Sequence, residues 1–298
     1  MIDVIVNENA GDASSAESRT SHLGTIFKKF GVEARFHSLQ PDGTIRDLAK
    51  SVIDVGADTV VAAGGDGTIG AVAGACHAAG VRMGVIPQGT FNYFARAHEI
   101  PEDAEAAVQL IAEGTLRETR LGTVNDRIFL NNVSIGVYPR ILKNREDVYK
   151  KYGRSRPAAY WSVFTTLVNR PRVLKATISL DGQVWNSRTP LVFVAKSAFQ
   201  LKEFNMAGQD ELGDGEFAVI VVPDEDRMTL LGSALRVWSG QARRGPDYKM
   251  MTGQNIDISL KRRRVLVACD GEKFVMRTPL RISHHERKLR LIAPEKPV

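Results

Sequence analysis

Cysteine is almost missing from this chain of 298 residues: Cys76 and Cys269 are the only two. That excludes a disulfide framework and a cysteine zinc site, and both thiols, set in apolar runs, are expected in the core. No apolar stretch approaches the roughly 20 residues needed to span a bilayer. The chain runs straight into Ile2-Asp3-Val4-Ile5-Val6 with no charged leader, so the expectation is a cytoplasmic protein. Long biased tracts and internal repeats are lacking too, which leaves a globular chain with little disorder. Acidic excess is absent: 40 Lys and Arg against 34 Asp and Glu give a net charge of +6, with a pI near 9.3. Nucleotide, nucleic acid and acidic membrane all remain compatible with that balance, which does not choose among them.

Glycine, by contrast, is plentiful, and its placement organises the reading. The length suits two domains. In the first third, strand patterns at Asp3–Val6, Ala34–Ser38, Thr59–Ala63 and Arg82–Ile86 alternate with helical patterns at Ser15–Phe30, Thr44–Val55, Thr68–Ala79 and Pro101–Glu113. This alternation predicts an open α/β domain around a parallel sheet. From about Leu121 the texture becomes β-rich, with strands predicted at Arg127–Leu130, Lys175–Leu180, Leu191–Ala195, Phe217–Val222, Ile256–Leu260 and Val265–Cys269. Arg140–Val168 and Arg227–Ser239 read as helical interruptions. Lys288–Ile292 alternates basic and apolar residues in the manner of an edge strand.

The run from Val60 to Thr68 places Gly64, Gly65 and Gly67 where a buried strand turns into a helix. Open sheets bind ligands at that end of their strands. Glycine there would supply positive φ and let phosphates approach, while the helix N-terminus offers amide donors. Asp66 cannot itself welcome a phosphate, so it points to Mg²⁺ or a ligand hydroxyl. The competing reading is a plain tight turn in which Asp66 caps the helix. A second turn follows the next strand, bringing Gly89, Thr90 and Asn92 to the same sheet edge, and Asn7, Asn9 and Gly11 leave the first strand nearby. Asp270-Gly271-Glu272 reads either as a hairpin turn or as a carboxylate pair for acid–base work.

These residues together resemble the diacylglycerol kinase catalytic-domain superfamily, which includes sphingosine, ceramide and bacterial lipid kinases. The likeness rests on Gly64–Thr68, on Gly89-Thr90-x-Asn92-x-Phe94-Ala95-Arg96, on Asp214-Gly215 and on Asp270-Gly271-Glu272, in matching order from Val4 to Pro294. It implies an α/β domain like that of NAD kinases and phosphofructokinases over residues 1–121, rejoined by 286–298, and a β-sandwich lipid-substrate domain over 122–285. It also implies Mg²⁺ and ATP, with ATP along Gly64–Gly70 and Thr90 and reached by Ser38. Asp66 would organise Mg-ATP, Asp270 would be the base, and Glu272 would orient it. A structural Mg²⁺ would sit at Asp214, flanked by Glu211 and Glu216. The acceptor would be a membrane lipid, diacylglycerol first and ceramide or a sphingoid base second, entering between the domains.

Three departures distinguish this chain from the family pattern. Tyr93 replaces an aspartate after Asn92, Glu8 replaces a proline after Asn7, and Gly208-Gln209-Asp210 replaces Pro-x-Ala before Asp214. They are compatible with ATP binding, bear on the identity of the acceptor, and suggest a branch distinct from the standard diacylglycerol enzyme. The basic stretch Lys143–Arg156, followed by the apolar Ala158–Val168, fits either docking on an anionic bilayer or a solvated face over a core helix. Partners are thus expected to be a membrane lipid and an anionic membrane surface, with no nucleic acid, and a homodimer is compatible. Two other functions stay open: an NAD kinase, although its Thr-Pro-x-Gly-Ser-Thr-Ala-Tyr run has no counterpart here, and a nucleotide-binding regulator without turnover.

Overall fold

In a computed structural model, residues 1–7, 16–39, 42–137, 139, 173–203 and 206–295 are described. The expected helical stretch Arg140–Val168, with the basic segment Lys143–Arg156, lies outside them, as do Asn9, Gly11 and Ser15. The chain forms two compact units, Met1–Leu121 with His285–Val298, and Gly122–His284. Among the described residues no helix is long and apolar enough to cross a membrane.

The first unit follows the alternating pattern: β1 (Ile2–Val6), α1 (Ala16–Lys29), β2 (Ala34–Ser38), α2 (Ile45–Asp54), β3 (Thr59–Gly64), α3 (Asp66–Ala79), β4 (Arg82–Pro87), α4 (Tyr93–Ala97), α5 (Ala104–Glu113) and β5 (Thr115–Thr119). Caps set the helix starts. The Asp47 amide donates to Thr44 ahead of α2, and the Ala106 amide donates to Asp103, so α5 begins after Asp103 and not at Pro101. β1 to β4 run parallel, burying Val4, Val6, Val61, Ala63 and Ile86 against Leu23 and Phe27 of α1 and Val108 and Ile111 of α5.

One strand departs from expectation. β18 (Leu289–Ala293), read from sequence as an edge, is inserted between β4 and β5 in the order β2-β1-β3-β4-β18-β5. It pairs parallel with β4 and antiparallel with β5. Basic–apolar alternation reports one exposed face, and a strand flanked on both sides can show that as well as an edge can.

The second unit is a sandwich of two six-stranded sheets. Its elements are β6 (Gly122–Val124), β7 (Arg127–Phe129), β8 (Asn132–Gly136), β9 (Leu174–Leu180), β10 (Gln183–Thr189), β11 (Leu191–Ala195), α6 (Ala198–Glu203), β12 (Phe217–Val221), α7 (Arg227–Trp238), β13 (Lys249–Gly253), β14 (Ile256–Leu260), β15 (Arg264–Cys269), β16 (Glu272–Arg277) and β17 (Leu280–His284). One sheet has the order β10-β9-β14-β17-β6-β7, the other β13-β12-β11-β8-β15-β16. Alternate residues of the two, including Phe129, Ile135, Ile178, Val192, Phe217, Ile256, Val267 and Leu280, fill the space between them. Cys76 and Cys269 are both buried, as expected from the sequence, and burial pushes the Cys76 thiol up to about 12.

Candidate active site

β3 and β4 pair in register as far as Gly64 opposite Pro87, so the two glycine turns leave the sheet side by side. The Gln88 amide donates to the Gly64 carbonyl at 2.9 Å. Beyond it the turns touch backbone to backbone. A Cβ on Gly89 would stand 2.8 Å from Gly65 Cα and 2.8 Å from Asn92 Oδ1, and one on Gly64 would stand 2.7 Å from the Thr68 hydroxyl oxygen. None of these glycines adopts the left-handed φ expected from the sequence; Gly65 has φ −83°. Space, not backbone handedness, is what requires them. A Cβ on Gly67 or Gly70, by contrast, would meet open space.

Around this pair the structure gathers most of the predicted nucleotide residues. Asn7, at the end of β1, donates from Nδ2 to Thr68 Oγ1 at 3.0 Å, so the buried Thr68 hydroxyl ties β1 to the head of α3. Asn92 is buried with φ 50°, and its Oδ1 accepts from the Gly89 amide at 2.8 Å, which makes it a shaper of the second turn. Thr90 is exposed on that turn. Ser38 ends β2 in register with Val6, on the same sheet edge but beyond β1 from the glycine pair. Gly65 caps α3, so the cap contributes no side chain over the first amides of that helix.

Asp66 is the first residue of α3 and does not cap it. Its carboxylate reaches across to α4, accepting from the Phe94 amide at 3.3 Å. Burial raises its pKa above the ordinary carboxylate value, and the amides of Phe94, Tyr93 and Asn92 pull the other way. One carboxylate therefore locks the two glycine turns together while lying at a helix N-terminus, where anions are favoured.

In the second unit Asp270 and Gly271 have φ of 47° and 86° and form the two-residue turn between β15 and β16. The hairpin reading of the sequence is thus correct as geometry, but Asp270 does more than turn. Its Oδ2 accepts from the Leu130 amide at 2.6 Å, and its Oδ1 accepts from Asn131 at 2.8 Å and Asn132 at 3.0 Å. Because Asp270 sits in a turn and not in an extended strand, strand alternation does not put Glu272 on its face. Glu272 begins β16, exposed and opposite Cys269.

Sequence reasoning missed Lys196. It follows β11, and its amide donates to the Asn131 carbonyl at 2.9 Å, so it hangs from the same residue whose amide holds Asp270. Burial pulls its ammonium down from 10.5 to about 8, with Asp270 opposing. The sequence signal was a lysine directly after the buried run Leu191–Ala195. Between about 8 and 10.5 the unfolded chain keeps a proton that the folded one releases, so stability rises with pH across that window and is lost as pH falls through it. Lys196→Met is expected to raise Tm at neutral pH and to flatten this slope, checked by thermal melts across the window; a slope equal to that of the unmodified protein would refute the assignment.

Asp214, Glu211 and Glu216 do not converge. Glu211 forms an ion pair with Arg244, and Glu216 turns back to accept from the Gly213 amide at 3.0 Å. Asp214 is exposed in the turn before β12. Among the described residues no cluster of three His, Cys, Asp or Glu side chains could hold a metal.

Comparison with known proteins divides the chain near the start of the second unit, with β18 falling in the second match. Residues 2–124 match the diacylglycerol kinase catalytic domain, and residues 132–293 match the YegS C-terminal NAD kinase beta sandwich-like domain. Diacylglycerol kinases of Staphylococcus aureus strains RF122 / ET3-1 and Newman are each 26% identical over 270 residues, covering 90% of this chain and 84% of the relative. A diacylglycerol kinase structure from Bacillus anthracis str. Sterne superposes with TM-score 0.67 at 16% identity, covering 100% of this chain and 98% of that one. A second chain from that organism, whose assignment as a diacylglycerol kinase is itself provisional, reaches 0.77 at 19%, covering 100% and 96%. At such identities the structural likenesses carry the fold.

Proposed function

Since the chain belongs to the diacylglycerol kinase catalytic-domain superfamily and is a phosphotransferase with an alcohol acceptor, a lipid kinase in kind, we propose that it transfers the γ-phosphate of Mg-ATP to a membrane-lipid hydroxyl. Diacylglycerol is the reference acceptor, because the Staphylococcus aureus relatives are named for it; ceramide and sphingoid bases come next. The observation that carries this reading is the backbone contact of Gly65 with Gly89, which leaves no room for a side chain on Gly89 and little on Gly65. Two amide-rich turns meeting at the head of α3 suit a chain of phosphates better than a single anion.

Roles divide between the two units. The triphosphate lies along Gly64–Gly70 and Gly89, with Asn7, Ser38, Thr90 and Asn92 framing it. Asp66 fits as a single carboxylate ligand to Mg²⁺, an ion usually held by one or two carboxylates together with phosphate oxygens and water. Bound there, the ion would neutralise phosphate charge during transfer. The side chains of Asp214, Glu211 and Glu216 do not come together, so a second, structural ion there would rest on Asp214 with backbone oxygens of its neighbours. Asp270 takes the proton of the lipid hydroxyl, which needs a base held in a fixed place, and the three amides that hold it provide that. With a lipid acceptor, the working enzyme sits at the cytoplasmic face of a membrane.

The test is a labelled-ATP assay with diacylglycerol, ceramide, sphingosine and NAD offered separately. Labelled phospholipid is the expected result. Transfer to NAD alone would replace this reading with that of an NAD kinase, and transfer to none would leave a nucleotide-binding protein without turnover.

A further inference from the structure

Four consecutive cations run through the turn from β14 to β15 and into the first residue of β15: Lys261, Arg262 and Arg263, then Arg264, all exposed. It is an ordered turn: Thr278 donates from its hydroxyl to the Arg262 carbonyl at 2.9 Å and from its amide to the Arg263 carbonyl at 3.1 Å. On the adjoining hairpin, Arg264 lies directly opposite Arg277, and the next pair on that face is Leu266 opposite Val275. Leu266 is 41% exposed and Val275 68%.

Two of these features work against the folded protein in water. Like charges directly opposite each other on antiparallel strands are destabilising. A large aliphatic pair next to a sheet edge is also costly, and β16 is the edge strand of its sheet. Charge on an edge strand can serve to block aggregation, which would explain Arg277. It does not explain the three cations in the preceding turn or Arg264 beside them, nor why every charge there has one sign. Among the described residues none of Lys261, Arg262, Arg263, Arg264 and Arg277 forms an ion pair.

We propose that the β14–β15 turn and the outer face of the β15–β16 hairpin dock on an anionic lipid bilayer, the five cations meeting headgroups and Leu266 and Val275 entering the interface. A polyanion such as nucleic acid would satisfy the arginines and leave the aliphatic pair in water; a bilayer accounts for both. With the hairpin lying along the surface, the Asp270 turn at its other end stays at the level of the headgroups. This inference rests on the lipid-kinase reading for its purpose but not for its test.

The full chain is sedimented with vesicles of phosphatidylcholine alone and of phosphatidylcholine doped with phosphatidylglycerol, at low and high salt. Binding is expected on the doped vesicles only and is expected to weaken with salt. Since each cation near such a surface contributes about a fivefold factor, Arg262→Glu with Arg264→Glu should cut binding by well over about tenfold. Leu266→Ser with Val275→Ser should reduce it several-fold at unchanged net charge. Phosphorylation of short-chain lipid in detergent micelles should be unaltered in both variants, which also shows that they fold. Unchanged vesicle binding in the charge-reversed variant would overturn the proposal. So would a loss of duplex-DNA binding in that variant with no response of either ligand to the serine variant. Vesicle binding by a chain that phosphorylates no lipid would instead sink the proposed function and leave the docking surface standing.

Discussion

Asp270→Asn should lower kcat by about 10²–10⁴-fold, the usual contribution of a positioned general base, and leave ATP affinity unchanged in calorimetry. Asparagine is a better probe than alanine here because Asp270 has two functions. Leu130, Asn131 and Asn132 are nearly buried, and all three of their amides donate to its carboxylate. Alanine would orphan every one of those donors, at about 1–3 kcal/mol each, and the protein would lose stability along with activity. Asparagine keeps an oxygen where Oδ1 accepts from Asn131 and Asn132, so its Tm should fall less than that of Asp270→Ala while its kcat falls nearly as far. An asparagine variant with full kcat would mean that the carboxylate only anchors the hairpin to the loop before β8.

That dual role marks what could be read from sequence and what could not. The first unit was legible because its signals are local: a continuous apolar run over Val60–Ala63, as a strand buried on both faces should have, and a helical pattern after Thr68. Gly64–Thr68 and Gly89–Asn92 were recognisable as turns at strand ends, and their placement on one sheet edge followed from β3 and β4 being parallel neighbours. What escaped depends on residues far apart in the chain. β18 sits inside a sheet whose other strands all end at least 170 residues earlier, the last of them β5 at Thr119, and no pattern within Leu289–Ala293 can report two partners. Likewise the donors to Asp270 arrive from 138 to 140 positions away. Lys196 could not be singled out until Asp270, which follows a strand two places away in the same sheet, was known to be its neighbour. The glycine argument failed in an instructive way: the right residues were chosen for a conformation they do not adopt, and the close approach of two backbones supplies the reason.

Close approach also separates the glycines that serve the protein from those that would serve a ligand. Gly89→Ala would drive a methyl to 2.8 Å from the Gly65 backbone. That is overpacking in a rigid place, costing about 1–3 kcal/mol, and the splayed turns should bind ATP poorly. Such a result alone would not prove that phosphates lie there, because a distorted turn could fail for any reason. Gly67→Ala resolves this. Gly67 is inside α3 and faces open space, so alanine should stabilise the ligand-free protein by about 0.5–1 kcal/mol through lower backbone entropy in the unfolded chain. If the triphosphate runs along this helix start, the same methyl occupies the approach of a phosphate, and ATP affinity should fall by about tenfold, or 1.4 kcal/mol. A variant with a higher Tm and a weaker ATP titration could not be explained by damage to the fold. Unchanged affinity in Gly67→Ala would move the nucleotide off this turn, and Asp66, whose place in the mechanism depends on phosphates at the same helix start, would lose its assigned role with it.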